Sequence, residues 1–128
     1  MIKGIGIDIV EIGRIERMIR SYGSQFLRKV FTEAETEYCR KMASPAVHFA
    51  GRWAAKEAFY KALPEECQKI SGWKSMEVVI EGSKAPLISV RDAALAKTMK
   101  KNGIEKSHVT ISHEKSMCVA MTVLEGRK

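Results

Sequence analysis

Asp8 lies in the middle of Ile5-Gly6-Ile7-Asp8-Ile9-Val10, whose alternation is that of a strand, and aspartate is disfavoured inside strands. On its own face of that strand its neighbours are Gly4 and Gly6, small enough to leave room for a ligand or another backbone. Glu57 is equally out of place. It belongs to Phe49-Ala50-Gly51-Arg52-Trp53-Ala54-Ala55-Lys56-Glu57-Ala58-Phe59-Tyr60-Lys61-Ala62-Leu63, a segment apolar almost all round and interrupted only by Arg52, Lys56, Glu57 and Lys61. Helices of that kind are buried, and buried charges are rare unless paired or coordinating something. Two carboxylates, one from a strand and one from a helix, suit Mg²⁺, which keeps several waters and takes substrate phosphates as its remaining ligands. Arginine and lysine nearby would neutralise the other phosphate oxygens. The combination points to transfer of a phosphate-bearing group, where positioning and charge stabilisation carry most of the catalysis.

Each feature also has a plainer explanation. Asp8 would serve as a strand-end cap for the following helix. On the helical wheel Glu57 and Lys61 share a side with Trp53 and Ala54, so they would form an i,i+4 ion pair worth roughly 0.2–0.5 kcal/mol. Arg52 and Lys56, on another side with Phe59 and Tyr60, would snorkel to solvent. His113, in Thr110-Ile111-Ser112-His113-Glu114-Lys115, is expected at an accessible turn; His48 and His108 have no evident partners and are expected to be structural.

The elements that must position these groups follow from periodicity. Gly4 to Val10 reads as a strand with Ile5, Ile7 and Ile9 on one face. Glu11 to Arg20 reads as a helix with Ile12, Ile15 and Ile19 at helical spacing; Arg14 and Arg17 point away from that stripe and Met18 lies at its rim. Arginine and methionine are enriched at interfaces, so this basic side suits an acidic helical partner. Thr32 and Glu35 form a capping box that opens a helix to about Lys41. Ser44-Pro45 marks a break, and a long helix from about Ala46 to Leu63 is ended by Pro64. Met76–Glu81 and Leu87–Val90 are expected strands joined through Gly82-Ser83-Lys84-Ala85-Pro86. Asp92 to Asn102 is an expected helix capped by Gly103. His108–Ser112 and Met117–Leu124 are expected to form a hairpin around His113-Glu114-Lys115. Without regular βαβ alternation the class is α+β.

Composition sets the outer limits. At 128 residues, 45% hydrophobic and 29% charged, the chain is expected to form one globular domain spanning residues 1–128. No apolar run reaches the roughly 20 residues of a membrane helix, and Met1-Ile2-Lys3-Gly4-Ile5-Gly6 lacks a signal-peptide layout, so no membrane and a cytoplasmic location are expected. Cys39, Cys67 and Cys118 have no CxxC spacing and are expected to be free thiols. The net charge of +7 argues for an anionic partner. A nucleic-acid-binding domain is one such reading, but the basic residues are dispersed and no nucleic-acid motif is present. A non-catalytic adaptor for an acidic protein is another; Asp8 and Glu57 argue against it.

Gly4-Ile5-Gly6-Ile7-Asp8-Ile9-Val10-Glu11, Gly51 to Leu63, and Ile111-Ser112-His113-Glu114, in that order and at those separations, resemble the 4′-phosphopantetheinyl transferase superfamily in its small holo-acyl-carrier-protein synthase branch. The likeness runs over nearly the whole chain. It implies an antiparallel sheet packed against helices, with active sites at the subunit interfaces of a homotrimer. It implies transfer of 4′-phosphopantetheine from coenzyme A to a serine of apo-acyl carrier protein, in support of fatty acid biosynthesis. Asp8 and Glu57 match the family's magnesium ligands. Arg52, Lys56, Lys61 and His113 fall where the family contacts coenzyme A phosphates or the reacting centre. Arg14, Arg17 and Met18 would receive the carrier protein. Glu57, a metal-bound water, Lys61 and, less readily, His113 are alternatives for taking the serine proton. Where relatives carry a glycine-rich turn after the motif helix, this chain has Pro64-Glu65-Glu66-Cys67, and acidic residues there would not favour phosphates.

Overall fold

The computed structural model describes residues 1–82 and 84–128, so Ser83, within the expected β-connection, lies outside the described residues. β1 (Ile2–Glu11) leads directly into α1 (Ile12–Tyr22), followed by α2 (Ser24–Val30), α3 (Glu33–Arg40) and the long α4 (Pro45–Ala62). α5 (Glu65–Gln68), β2 (Met76–Val79), β3 (Leu87–Val90), α6 (Ala93–Lys101), β4 (Ile104–Glu114) and β5 (Met117–Gly126) complete the chain. β1, β5 and β4 form an antiparallel sheet in that order, and β2 pairs antiparallel with β3. The class is α+β, with α4 packed across the three-stranded sheet.

Two glycines set how closely α4 approaches the sheet. A Cβ on Gly4 would lie 1.9 Å from the Ala62 carbonyl oxygen, and one on Gly6 1.9 Å from that of Ala58. Two residues of strand advance about 6.8 Å and four residues of helix about 6 Å, so β1 and α4 stay in step. The next step brings Asp8 alongside the turn of α4 that carries Glu57. This face of β1 belongs to the core, with Val10 buried beyond Asp8. The opposite face is open: Ile5, Ile7 and Ile9 are 58%, 59% and 63% exposed, and Met121, paired with Ile7, is also exposed.

Several boundaries differ from the sequence expectations. α2 is unanticipated; Gly23, at φ +55°, reverses the chain between α1 and α2 and leaves no side-chain cap to mark the start. α5 is also unanticipated and fills the segment after Pro64. Glu65 pairs with Lys69, and Glu66 accepts from Lys101 Nζ at 2.9 Å and Asn102 Nδ2 at 3.2 Å, so both acidic groups are engaged by neighbouring donors. The capping box of α3 is present as expected. β4 runs through Glu114, which puts His113 within the strand opposite Cys118 and moves the turn to Lys115-Ser116.

Candidate active site

Asp8 projects from β1 toward α4, its side chain 13% exposed. It caps no helix: α1 begins after Glu11 without a side-chain cap. Lys61 does not pair with Glu57 along the helix, as the plainer reading expects; its Nζ reaches across to Asp8 Oδ1 at 3.1 Å and donates to the Ile7 carbonyl at 3.1 Å. Asp8 Oδ2 is buried with no hydrogen-bond partner. An ionised oxygen in that position calls for a donor or a cation.

Glu57 is half-buried on α4. Burial and then the charge of Asp8 raise its pKa above the ordinary carboxylate range, against the lowering influence of Lys61 and Arg14. The two carboxylates are therefore close enough to oppose each other's charge, which is the arrangement a divalent cation relieves. Their hard oxygen donors fit Mg²⁺, which needs few protein ligands when a phosphate substrate supplies others. No group of three or more His, Cys, Asp or Glu side chains suited to a metal occurs among the described residues, so protein ligation would rest on this pair.

The raised pKa has a stability consequence. The folded chain binds the Glu57 proton more tightly than the unfolded chain, so the charged form costs stability above the raised pKa. That cost disappears as pH falls through it. Glu57→Gln is expected to raise the melting temperature slightly at pH 8 in the presence of a chelator, with the gain shrinking to nothing in acid. Melting curves across that range check the sign.

Other expected site residues are distributed around this pair. Arg14 is exposed on α1, its guanidinium 5.6 Å from the Trp53 ring centroid, and its charge is felt at Glu57. Arg17 is exposed and Met18 half-buried on the same helix. Beside Glu57 opens a cavity of about 270 Å³, lined by Lys56, Glu57, Tyr60, Ser71, Gly72, Trp73 and Met76.

Lys56 requires a correction. Its side chain is fully buried, and Nζ donates to the Val30 and Trp73 carbonyls at 2.8 Å each and pairs with Glu35 Oε1 at 2.6 Å. An ammonium has three donors, and all are engaged, so Lys56 is not free to meet a phosphate. It does not snorkel either. Arg52, also buried, lies over the Tyr38 ring at 4.4 Å and donates to the His48 carbonyl at 3.3 Å, leaving Nε without a partner.

His113 is exposed but lies on β4, two strands from β1, so in one chain about 10 Å of sheet separates it from the end of β1 near Asp8. Its charge instead acts on His48, whose pKa is lowered by burial and then by Arg52 and His113. His48, expected to be merely structural, thus joins Tyr38, Arg52 and His113 in a second polar cluster. Its i,i+4 spacing from Arg52 is the sequence signal that could have linked those two. His108 also has a partner, Glu125 Oε1 at 3.0 Å.

The family model of the 4′-phosphopantetheinyl transferase superfamily matches residues 4–120. A holo-[acyl-carrier-protein] synthase of Syntrophus aciditrophicus is 41% identical over 128 residues, covering 100% of this chain and 99% of its relative. The crystal structure of a holo-[acyl-carrier-protein] synthase from Neisseria meningitidis superposes with a TM-score of 0.84 at 28% identity, covering 98% of this chain and 99% of that one. A Bacillus anthracis holo-(acyl-carrier-protein) synthase, solved in complex with CoA (3′,5′-ADP), gives a TM-score of 0.79 at 32% identity with 99% coverage of both chains.

Proposed function

The chain belongs to the 4′-phosphopantetheinyl transferase superfamily, and from that premise we propose that it moves 4′-phosphopantetheine from coenzyme A to a serine of apo-acyl carrier protein, releasing adenosine 3′,5′-bisphosphate. This chemistry supports fatty acid biosynthesis and is carried by the single domain of residues 1–128. The observation that carries the reading is the Asp8–Glu57 pair, held together by the close packing of β1 on α4.

Asp8 and Glu57 are the residues that would hold Mg²⁺. Bound there, the ion would supply positive charge to the coenzyme A pyrophosphate as its phosphoanhydride P–O bond breaks. Lys61 keeps Asp8 oriented through its 3.1 Å contact and, half-exposed at the mouth of the site, is available to a phosphate oxygen. Glu57 is assigned the serine proton because its side chain lines the cavity beside the pair and is within reach of a group bound there. Attack by the serine oxygen forms the new P–O bond, and the bisphosphate departs with the old bridging oxygen. The basic helix α1, with Arg14, Arg17 and Met18, is the docking surface for the acidic carrier protein; the influence of Arg14 on Glu57 supports its nearness to the chemistry.

Arg52 and His113 are assigned to coenzyme A phosphates from the second polar cluster. Its separation from Asp8 within one chain favours sites shared between copies. A homotrimer is proposed on that ground and on the open face of the sheet, where Ile5, Ile7, Ile9 and Met121 lie exposed. Burying one such isoleucine is worth about 1–2 kcal/mol. Ile5→Asp is expected to give monomers in sedimentation and to lower transfer at least tenfold, whereas a fully active variant that sediments like the parent would count against shared sites. A cytoplasmic location fits the three buried, unpaired thiols, which persist in a reducing compartment. No helix among the described residues is long and apolar enough to cross a membrane.

Mass spectrometry of apo-acyl carrier protein incubated with the chain, coenzyme A and Mg²⁺ tests the activity. Modified carrier protein is expected. Its absence, with a known synthase active in parallel, would overturn the reading.

A further inference from the structure

Lys56 immediately precedes Glu57 on α4, and neither Lys56 nor Glu35 has exposed side-chain surface. A buried ion pair contributes little net stability, because desolvation of the two charges offsets most of their attraction. What this pair does supply is connection. Lys56 Nζ binds the Val30 carbonyl at the end of α2 and the Trp73 carbonyl in the segment before β2. Glu35 Oε1 accepts from Thr32 N at 2.8 Å, and Oε2 accepts from Val78 N of β2 at 2.7 Å. Thr32 Oγ1 in turn donates to Glu77 Oε2 at 2.5 Å. Four elements and the Gly72–Trp73 segment thus meet at one pair of side chains.

The Trp73 end of that segment is attached to α4 twice. Its carbonyl is held by Lys56, and its indole packs on Trp53 with ring centroids 4.4 Å apart. Ser71, Gly72 and Trp73 form the wall of the cavity that faces Glu57. Moving this segment would open the cavity without touching either metal-binding carboxylate.

We infer that Glu35 and Lys56 are positioning residues for the donor site: they fasten the Ser71–Trp73 wall to α4 and so set how tightly coenzyme A is gripped beside Glu57. The inference rests on the proposed transferase function. Lys56→Met alone would strand the Glu35 charge, so the informative variant is Lys56→Met combined with Glu35→Leu, since apolar replacement of a buried pair commonly preserves a fold. With coenzyme A and carrier protein varied separately, the KM for coenzyme A is expected to rise about tenfold or more, while the KM for carrier protein changes less than about twofold. The melting temperature is expected to fall, because the Val30 and Trp73 carbonyls and the Thr32 and Val78 amides lose their partners, so the kinetics are compared at a temperature where both proteins are folded. A purely structural role would leave a well-folded double variant with the parent's KM for coenzyme A, and that result overturns the inference.

The unsubstituted chain provides a second measurement should the double variant not fold. Saturating coenzyme A is expected to slow amide hydrogen exchange across residues 71–74; unchanged exchange there, with coenzyme A bound, overturns the inference as well. Failure of the unsubstituted chain to modify carrier protein would instead overturn the transferase reading, and is seen before any variant is made.

Discussion

Asp8→Ala is expected to cut carrier-protein modification by at least about a thousandfold, a loss of roughly 4 kcal/mol of transition-state stabilisation, while the chain stays folded. Two facts separate the catalytic from the structural consequence. The Asp8–Lys61 pair is half-exposed on the lysine side, and pairs of that kind contribute at most about 1 kcal/mol to stability. The substitution also removes a buried oxygen that has no partner, which relieves the fold. The proposed metal-binding role has no comparable backup, because no group of three or more side chains suited to a metal occurs among the described residues. Glu57 in Asp8→Ala also loses the charge that helps raise its pKa, so its titration should move down. Mass spectrometric time courses, calorimetric Mg²⁺ titration and a thermal melt together read these effects. A folded Asp8→Ala protein with the parent's rate would overturn the proposal that Asp8 is a metal ligand.

Gly6→Ala is expected to be a strongly damaging single-methyl change. Its Cβ would lie 1.9 Å from the Ala58 carbonyl oxygen and 2.9 Å from the Ala62 amide nitrogen, and backbone atoms cannot rotate aside as a flexible side chain would. Relief requires β1 and α4 to separate, at a cost of about 3 kcal/mol or more. For a domain of this size that lowers the melting temperature by about 10 °C. Activity should fall further than stability does, because the displaced strand carries Asp8 away from Glu57. Gly13→Ala is the control: its new methyl would meet only the tip of Arg17 at 3.3 Å, and alanine is the better helix former, so stability should hold or improve. Equal melting temperatures for Gly6→Ala and Gly13→Ala would refute the close-packing account.

These residues also show what local pattern can convey. Alternation along β1 separated Ile5, Ile7 and Ile9 from Gly4, Gly6 and Asp8, but periodicity does not say which face meets the core. Here the glycine face does, since only residues without side chains admit α4 so closely. The capping box and the stop at Pro64 were legible because both act within a few residues. Glu35 was legible only as a cap; its bonds to Lys56 and Val78 span distances along the chain that no local pattern encodes. The same holds for Lys56, which its apolar surroundings marked as unusual without disclosing the partner. α2 carries no local start signal, because its entry is the positive-φ Gly23 instead of a capping side chain. His113 was displaced from turn to strand by the longer β4. Asp8 and Glu57 are each conspicuous alone, but what brings their charges near each other is the packing of β1 on α4, which no local pattern encodes.

The bare isoleucine face has a consequence for how output depends on abundance. If copies cover it by associating, and complete their sites in doing so, activity obeys mass action. Halving the protein would then more than halve the product formed near the dissociation midpoint, and simple dilution would act as an off switch. Such a chain would respond to its own synthesis more steeply than a one-copy enzyme, with no effector required.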